Sequence, residues 1–225
     1  MKRALVLLSG GQDSTTCLFW AKKSFGCVES LCVDYRQRHS VEIKAASRIA
    51  AMAGVKNTVV HCSALEQLTS SSLTSDLPVS REKGERGLAN TFVPGRNLIF
   101  LAYAAARAYD LGISDIVTGV CQTDYAGYPD CREESMVATE GALSLCMDYS
   151  FVLHRPLVHL SKAQIVLMAK ELGAMDALAH SHTCYNGLFP PCQSCSSCIL
   201  RAKGFAEAGL EDPLLLRAAG GRSQT

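Results

Sequence analysis

The stretch Ala4-Leu5-Val6-Leu7-Leu8-Ser9-Gly10-Gly11-Gln12-Asp13-Ser14, continued by Thr15-Thr16-Cys17-Leu18, decides how this chain folds. The apolar run 4–8 ends in a glycine pair and reads as a strand buried on both faces. Residues 15–23 then read as a helix. A buried strand, a glycine turn and a helix start together make an anion site. Glycine lets the backbone approach an anion without a Cβ in the way, and the first helical N–H groups point at it. Ser9 and Ser14 add hydroxyl donors. Asp13 is misplaced beside phosphates unless it accepts an N–H at the helix start or meets a metal ion. A tight structural turn would explain a bare Gly-Gly, but not the full Ser-Gly-Gly-x-Asp-Ser string.

Working outward, strand and helix alternate along the whole chain. Strands are expected at 28–33, 58–62, 115–120 and 151–157, and helices at 41–53, 98–111, 133–147 and 161–172. Ser161 and Gln164 form a capping-box pattern at the start of the last of these, and Gly173 stops it. Alternation without hairpin signals predicts an α/β fold with a doubly wound parallel sheet, whose ligands sit beyond the carboxyl ends of the strands. The unusual polar segments lie there, after the first, second and fourth strands: 9–14, 34–39 and 122–132. Residues 1–175 form the expected α/β domain, 176–219 a small C-terminal region and 220–225 a disordered tail. Residues 69–91, rich in Ser, Gly and alternating charge, are long enough for a lid or a mobile loop.

The totals narrow the function classes. The chain has 225 residues, 48% of them hydrophobic, enough for a real core. With 22 basic and 21 acidic residues the formal net charge is +1, which favours a small-molecule substrate over nucleic acid. No apolar run reaches membrane-spanning length, and Met1-Lys2-Arg3 leads into a strand rather than a signal peptide. A cytoplasmic protein that does not engage a membrane is the expectation.

Eleven cysteines is a high count for such a chain. Seven are dispersed and read mostly as small buried apolar residues. The other four, Cys184, Cys192, Cys195 and Cys198, are clustered with C-x-x-C spacing, which suits a tetrahedral zinc site. Four thiolates leave no open coordination position, so the reading is structural zinc. An iron–sulfur cluster and a redox dithiol pair are the rivals, and metal analysis separates them. A helix is expected just after Cys198.

Between the fourth strand and the next helix, Gln122 to Arg132 gathers Asp124, Tyr125, Tyr128, Asp130 and Arg132. A planar heterocycle needs such a mixture, with apolar faces for the ring and directed polar groups at its edge. Arg132 can grip a carboxylate through two parallel hydrogen bonds. Alternatively the loop is ordinary and Asp130 only caps the next helix. Arg96 and Asn97, in Phe92 to Asn97, lie at a helix start near the same sheet edge. Arg96 can hold phosphate or substrate charge, while Asn97 reads most simply as an N-cap.

Ser9 to Ser14 resembles the PP-loop of the N-type ATP pyrophosphatases; with no Gly-Lys pair in the chain it is not a Walker loop. From Leu5 to about Gly209 the chain resembles the 7-cyano-7-deazaguanine synthase family of the queuosine pathway. The most specific pieces are Asp124 with Tyr125, Gly127 to Arg132, and the Cys192, Cys195, Cys198 run continuing through Arg201 to Gly209. The resemblance implies an adenine nucleotide alpha hydrolase-like fold and a carbon–nitrogen ligase. This enzyme would convert 7-carboxy-7-deazaguanine and ammonia to the nitrile with ATP and Mg2+, and form a homodimer. It also implies that Leu8, Ser9, Gly10, Gly11, Gln12, Asp13, Ser14, Thr15, Thr16, Cys17 and Leu18 bind ATP, and that the four clustered cysteines bind one zinc ion. Asp13 and Ser14 would then serve the phosphates, Asp124 and Asp130 the edge of the heterocycle, and Arg132 or Arg96 the carboxylate. One departure is Arg36, where the family usually has glycine. Two other readings share these motifs, a tRNA-thiolating enzyme and a nucleotide-binding regulatory module with a zinc-stabilised tail.

Overall fold

A computed structural model describes residues 1–35, 41–80, 82, 84, 87–122 and 127–220. Its centre is a five-stranded, wholly parallel sheet in the order β3-β2-β1-β4-β5. The strands are β1 (Arg3–Leu7), β2 (Cys27–Asp34), β3 (Lys56–His61), β4 (Asp115–Val117) and β5 (Val152–His154). After β3 the chain returns across the sheet and places β4 on the other side of β1, pairing Leu5 with Ile116. The strand order therefore reverses beside β1, and a crevice opens beyond its carboxyl end.

Alternation along β1 sorts the helices onto two faces. Ala4 and Val6 pack with Leu18 of α1 (Gln12–Ser24), Ile49 of α2 (Val41–Ala53) and residues beyond β5. Leu5 packs on the opposite side, with Leu101 and Ala105 of a long alanine-rich helix and Met136 and Leu143 of the next. Those two are α4 (Arg96–Asp110) and α5 (Glu133–Met147), preceded in sequence by the short α3 (Ala64–Leu68). Period-two burial with helices on both sides is the doubly wound arrangement expected from the alternation.

The carboxyl-terminal part continues through α6 (Lys162–Glu171), α7 (Met175–Leu178), α8 (Ser196–Glu207) and α9 (Pro213–Gly220). Ser161 caps α6 as expected, accepting the Gln164 N–H at 3.3 Å while Gln164 accepts the Ser161 N–H at 2.8 Å. Where α8 crosses α6, a Cβ on Gly204 would lie 2.8 Å from Lys162 Cβ. Glycine there sets how closely the two helices approach.

Several boundaries differ from the sequence expectation, each for a tertiary reason. Helix α1 begins at Gln12, not residue 15, so half of the glycine-turn motif is helical, and Gly11 rather than Asp13 is its N-cap. Strand β4 stops at Val117 because the chain then crosses the start of α1; a Cβ on Gly119 would meet Ser14 N at 2.9 Å. Strand β5 stops at His154 before Pro156, which has no N–H for a ladder. Helix α8 begins before Cys198, not after it. In the 69–91 segment, Ser72 N–H donates to Asn90 O at 2.9 Å, and buried Leu73 joins the core, so its described beginning and end are tied down. No helix of the described residues is long and apolar enough to cross a membrane.

Candidate active site

A cavity of about 280 Å3 lies beyond the carboxyl ends of β1, β2 and β4. Its floor is the turn after β1. Ser9 and Ser14 hydroxyls are 3.0 Å apart, Ser14 Oγ donates to Gly11 O at 3.2 Å, and Ser9 N–H donates to Ser14 Oγ at 3.2 Å. The turn thus holds its own shape. Gly10 has φ +84°, which L side chains rarely adopt, and a Cβ there would lie 2.5 Å from Glu42 O. The opening N–H groups of α1 have no acceptor within the helix, and its first residues Gln12, Asp13 and Ser14 line the cavity. Gly10, Thr15, Thr16, Cys17 and Leu18 do not line the cavity; they support the residues that do, Leu8, Ser9, Gly11, Gln12, Asp13 and Ser14.

Asp13 Oδ2 accepts from Lys162 Nζ at 2.6 Å, and both residues line the cavity. Asp13 Oδ1 is buried without a hydrogen-bond partner, and so is Gln12 Nε2. An orphaned carboxylate oxygen beside an anion cradle fits a cation that arrives with the anion. Sequence reading missed Lys162. It occupies the first position of α6, where the helix dipole disfavours a cation. A lysine placed there must be held by an anion elsewhere, and that was the available signal.

The wall facing the cradle comes from α4 and the loop after β4. Arg96 is enclosed, with Nη1 donating to Tyr35 OH at 3.5 Å. Burial works against its charge, but Tyr35, Tyr185 and Asp130 outweigh it and raise its pKa. Tyr128 is buried beside Phe92, ring centroids 5.4 Å apart, and its hydroxyl meets Thr91 Oγ1 at 2.5 Å. Asp130 Oδ2 accepts the Asn97 N–H at 3.1 Å. It therefore caps α4, the helix before it in sequence, whereas Asn97 is the second residue of that helix and Gly95 is its N-cap. Arg132 is exposed and is the N-cap of α5, outside the cavity lining. Asp124, Tyr125 and Arg36 lie outside the described residues. Of the loop after β4, Gly127, Tyr128 and Cys131 line the same cavity as the glycine turn, whereas Asp130 and Arg132 are not among its lining residues.

Glu42, in the first turn of α2, also lines this cavity and was missed because its sequence context is unremarkable for a helix. Burial pushes its carboxyl up to about 7 against the opposing pull of Arg96, and Cys184 adds to the rise.

The remaining wall is carboxy-terminal. His182 N–H donates to Gly10 O at 2.8 Å, and His182, Thr183, Tyr185, Ser196 and Ser197 line the cavity. Between them lie Cys184, Cys192, Cys195 and Cys198, whose sulfurs all lie within 4.8 Å of one another. Cys192 and Cys198 sulfurs are 3.9 Å apart. A tetrahedron with zinc–sulfur bonds of about 2.3 Å has edges of roughly 3.8 Å, so the four ligands fit zinc. Cys192 N–H donates to Cys184 Sγ at 3.4 Å, Cys195 N–H to Cys192 Sγ at 3.3 Å, and Asn186 Nδ2 to Cys192 Sγ at 3.4 Å. Such donors suit thiolates, and the cluster shares charge unequally: hydrogen bonds from Cys195 and Cys198 push the Cys184 thiol down, while Cys184, Cys195 and burial push the Cys198 thiol up.

Comparison with known proteins agrees with this construction. Residues 3–209 match the family model described as queuosine biosynthesis protein QueC. A 7-cyano-7-deazaguanine synthase of Chromobacterium violaceum is 56% identical over 221 residues, 96% of this chain and 94% of that protein. The Bacillus subtilis protein of the same name is 47% identical over 209 residues, covering 92% and 94%. Among solved structures, a 4-thiouridine synthetase in complex with RNA and ATP superposes at TM-score 0.54 with 18% identity, covering 96% of this chain and 52% of that one. NMN synthetase from Francisella tularensis gives 0.50 with 13% identity, covering 96% and 82%. These two share the fold alone. The match over nearly the whole chain, together with the cradle, the facing wall and the four-cysteine cluster, places this chain in the QueC family.

Proposed function

We propose that this chain is an ATP-dependent carbon–nitrogen ligase that converts 7-carboxy-7-deazaguanine and ammonia to 7-cyano-7-deazaguanine in queuosine biosynthesis. The observation that carries the reading is that the Ser9–Ser14 cradle and Arg96 with Tyr128 line one cavity. The names of relatives 47% and 56% identical supply the substrate class.

A carboxylate resists ammonia because its oxygen will not leave. ATP converts that oxygen into a phosphoester, ammonia then gives an amide, and removing the second oxygen requires a second activation. The chain's own residues serve these steps by position and charge. Ser9, Gly11 and Ser14 aim donors at the phosphates, where charge develops as the leaving group departs. Lys162, held today by Asp13, supplies the cation that the PP-loop itself lacks. Asp13 and its unpartnered oxygen are the group that would hold Mg2+. Arg96, enclosed and kept charged, holds the substrate carboxylate in preference to the exposed Arg132. Tyr128 packs the ring and Asp124 remains the candidate for its polar edge, while Asp130, which caps α4, steadies the wall.

The four cysteines would hold structural zinc, which fixes Tyr185 and the Ser196–Ser197 end of α8 against the cavity. We place the enzyme in the cytoplasm as a homodimer acting on small molecules rather than nucleic acid, which sedimentation and a tRNA-independence assay check. The deciding experiment is mass analysis of the product formed from ATP, ammonium and the deazaguanine acid. The nitrile is expected. An amide end product, or ATP turnover that depends on tRNA, refutes the reading.

A further inference from the structure

The reaction outlined above leaves protons to be disposed of. Ammonia attack on the activated carboxyl carbon forms a C–N bond and gives an adduct with N+ and O−. One N–H proton must leave before the C–O bond breaks and the phosphoester departs as an anion, giving the amide. In the second activation the amide oxygen bonds to a phosphorus of a second ATP as the P–O bond to the rest of its phosphate chain breaks and that chain leaves as an anion, and a second N–H proton is lost. As the last C–O bond breaks, the third N–H proton leaves and the nitrile forms. No redox change occurs; three protons pass from one nitrogen to an acceptor.

Among the described residues, the titratable groups of the cavity are mostly unsuited to this. Asp13 is bound to Lys162. Lys162, Arg96 and Arg201 are cations. Burial pushes the Tyr35 phenol up to about 12, and Tyr128 is also raised by burial. His182 Nε2 is 3.1 Å from Cys184 O, so that nitrogen is held as a donor. Glu42 is different. It lines the cavity in the first turn of α2, and its backbone passes so close to the cradle that a Cβ on Gly10 would lie 2.5 Å from Glu42 O. Arg96 from α4 attracts its carboxylate and Cys184 from the carboxy-terminal loop repels it. Tyr35 and Cys32, both preceding α2, feel its charge.

We infer that Glu42 is the proton acceptor for the substrate nitrogen, lining the same cavity as the Arg96 guanidinium that holds the reacting carboxyl group. The inference rests on the nitrile-forming reading. It assigns the two residues complementary tasks. Arg96 fixes the carbon under attack, and Glu42 takes each N–H proton and returns it to solvent between steps. Binding of the substrate carboxylate neutralises Arg96, which removes the pull that weakens Glu42 as a base. Burial suits it further, since a general base works best with a pKa near the operating pH.

The test compares wild type with Glu42→Gln using two nucleophiles. Ammonium leads to amide and nitrile; hydroxylamine, a stronger nucleophile whose attack depends less on a base, traps the activated carboxyl as a hydroxamate. Removing a general base costs about 100-fold or more. Nitrile turnover should fall by that factor, while hydroxamate formation falls by clearly less than the ~100-fold that loss of a needed base would cost. Glu42→Asp keeps the charge one methylene back and should lie between; it carries the test if the amide variant does not fold, as judged by circular dichroism. Nitrile turnover by Glu42→Gln close to wild type overturns the assignment. So does an equal loss with both nucleophiles, which would make Glu42 a positioning residue. A wild-type enzyme that yields no nitrile at all removes the reaction, and the base with it.

Discussion

Arg201 connects the carboxy-terminal region to the cavity, and its ion pair offers the sharpest stability test. Its Nε donates to Asp212 Oδ2 at 2.6 Å and its Nη2 to Asp212 Oδ1 at 2.8 Å, while Nη1 donates to Ser181 Oγ at 2.7 Å. The two side chains are only 4% and 6% exposed. Asp212 Oδ1 also accepts the Leu214 N–H at 2.9 Å at the start of α9. Asp212→Asn keeps the volume and removes the charge, leaving a guanidinium buried without its anion. Breaking such a pair from one side costs about 3–5 kcal/mol. With an unfolding entropy of about 2.1 cal/mol/K per residue, a chain of this length should lose ~6–11 °C in Tm. Calorimetry with zinc present measures it. Replacing both partners, Arg201→Met with Asp212→Leu, should recover part of the loss, because neither charge is then stranded. A fall of under about 2 °C for the single variant, where 3 kcal/mol or more is expected, would show that the pair is solvated and refute the reasoning.

Three further outcomes follow from the geometry. Gly119→Ala would drive a Cβ to 2.9 Å from Ser14 N and 3.1 Å from Asp13 C, backbone atoms that cannot swing away; ATP affinity should drop at least about tenfold, roughly 1.4 kcal/mol, in equilibrium dialysis. Cys195→Ser should lower bound zinc from one per chain to below half by elemental analysis and reduce Tm; full zinc and normal melting would count against a structural metal. Glu42 has its carboxyl raised from 4.5 to about 7 in the folded chain, so its favourable contribution is present below about 4.5 and lost as pH rises through about 7. Denaturant unfolding should accordingly show Glu42→Gln gaining on wild type between pH 5 and 8, by up to about 3 kcal/mol. Parallel pH profiles would mean that Glu42 is solvated.

In the loop after β4, local sequence stops being informative. Asp130 reads equally as a cap for the following helix or as a substrate contact; its carboxylate instead caps α4, 33 residues away in sequence. Arg132 and Arg96 are equivalent as guanidinium groups, and only packing encloses one and exposes the other. Lys162 and Glu42 stand in helical first turns, 120 residues apart, and the capping box around Lys162 announces a helix start, not a place in the cavity.

What the sequence alone determined is what depends on short-range chemistry. The apolar run 4–8 and its glycine turn dictate a buried parallel strand feeding a helix, alternation dictates the double winding, and four cysteines at close spacing dictate a cluster that could hold a metal ion. The tertiary structure decided which distant side chains share the cavity. Return of the chain across the sheet puts β4 beside β1, and the His182 bond to Gly10 brings the cysteine-bearing region over the cradle. Those placements come from packing between elements far apart in sequence, where burial, crossing distance and paired charge select the partners and no local pattern records them.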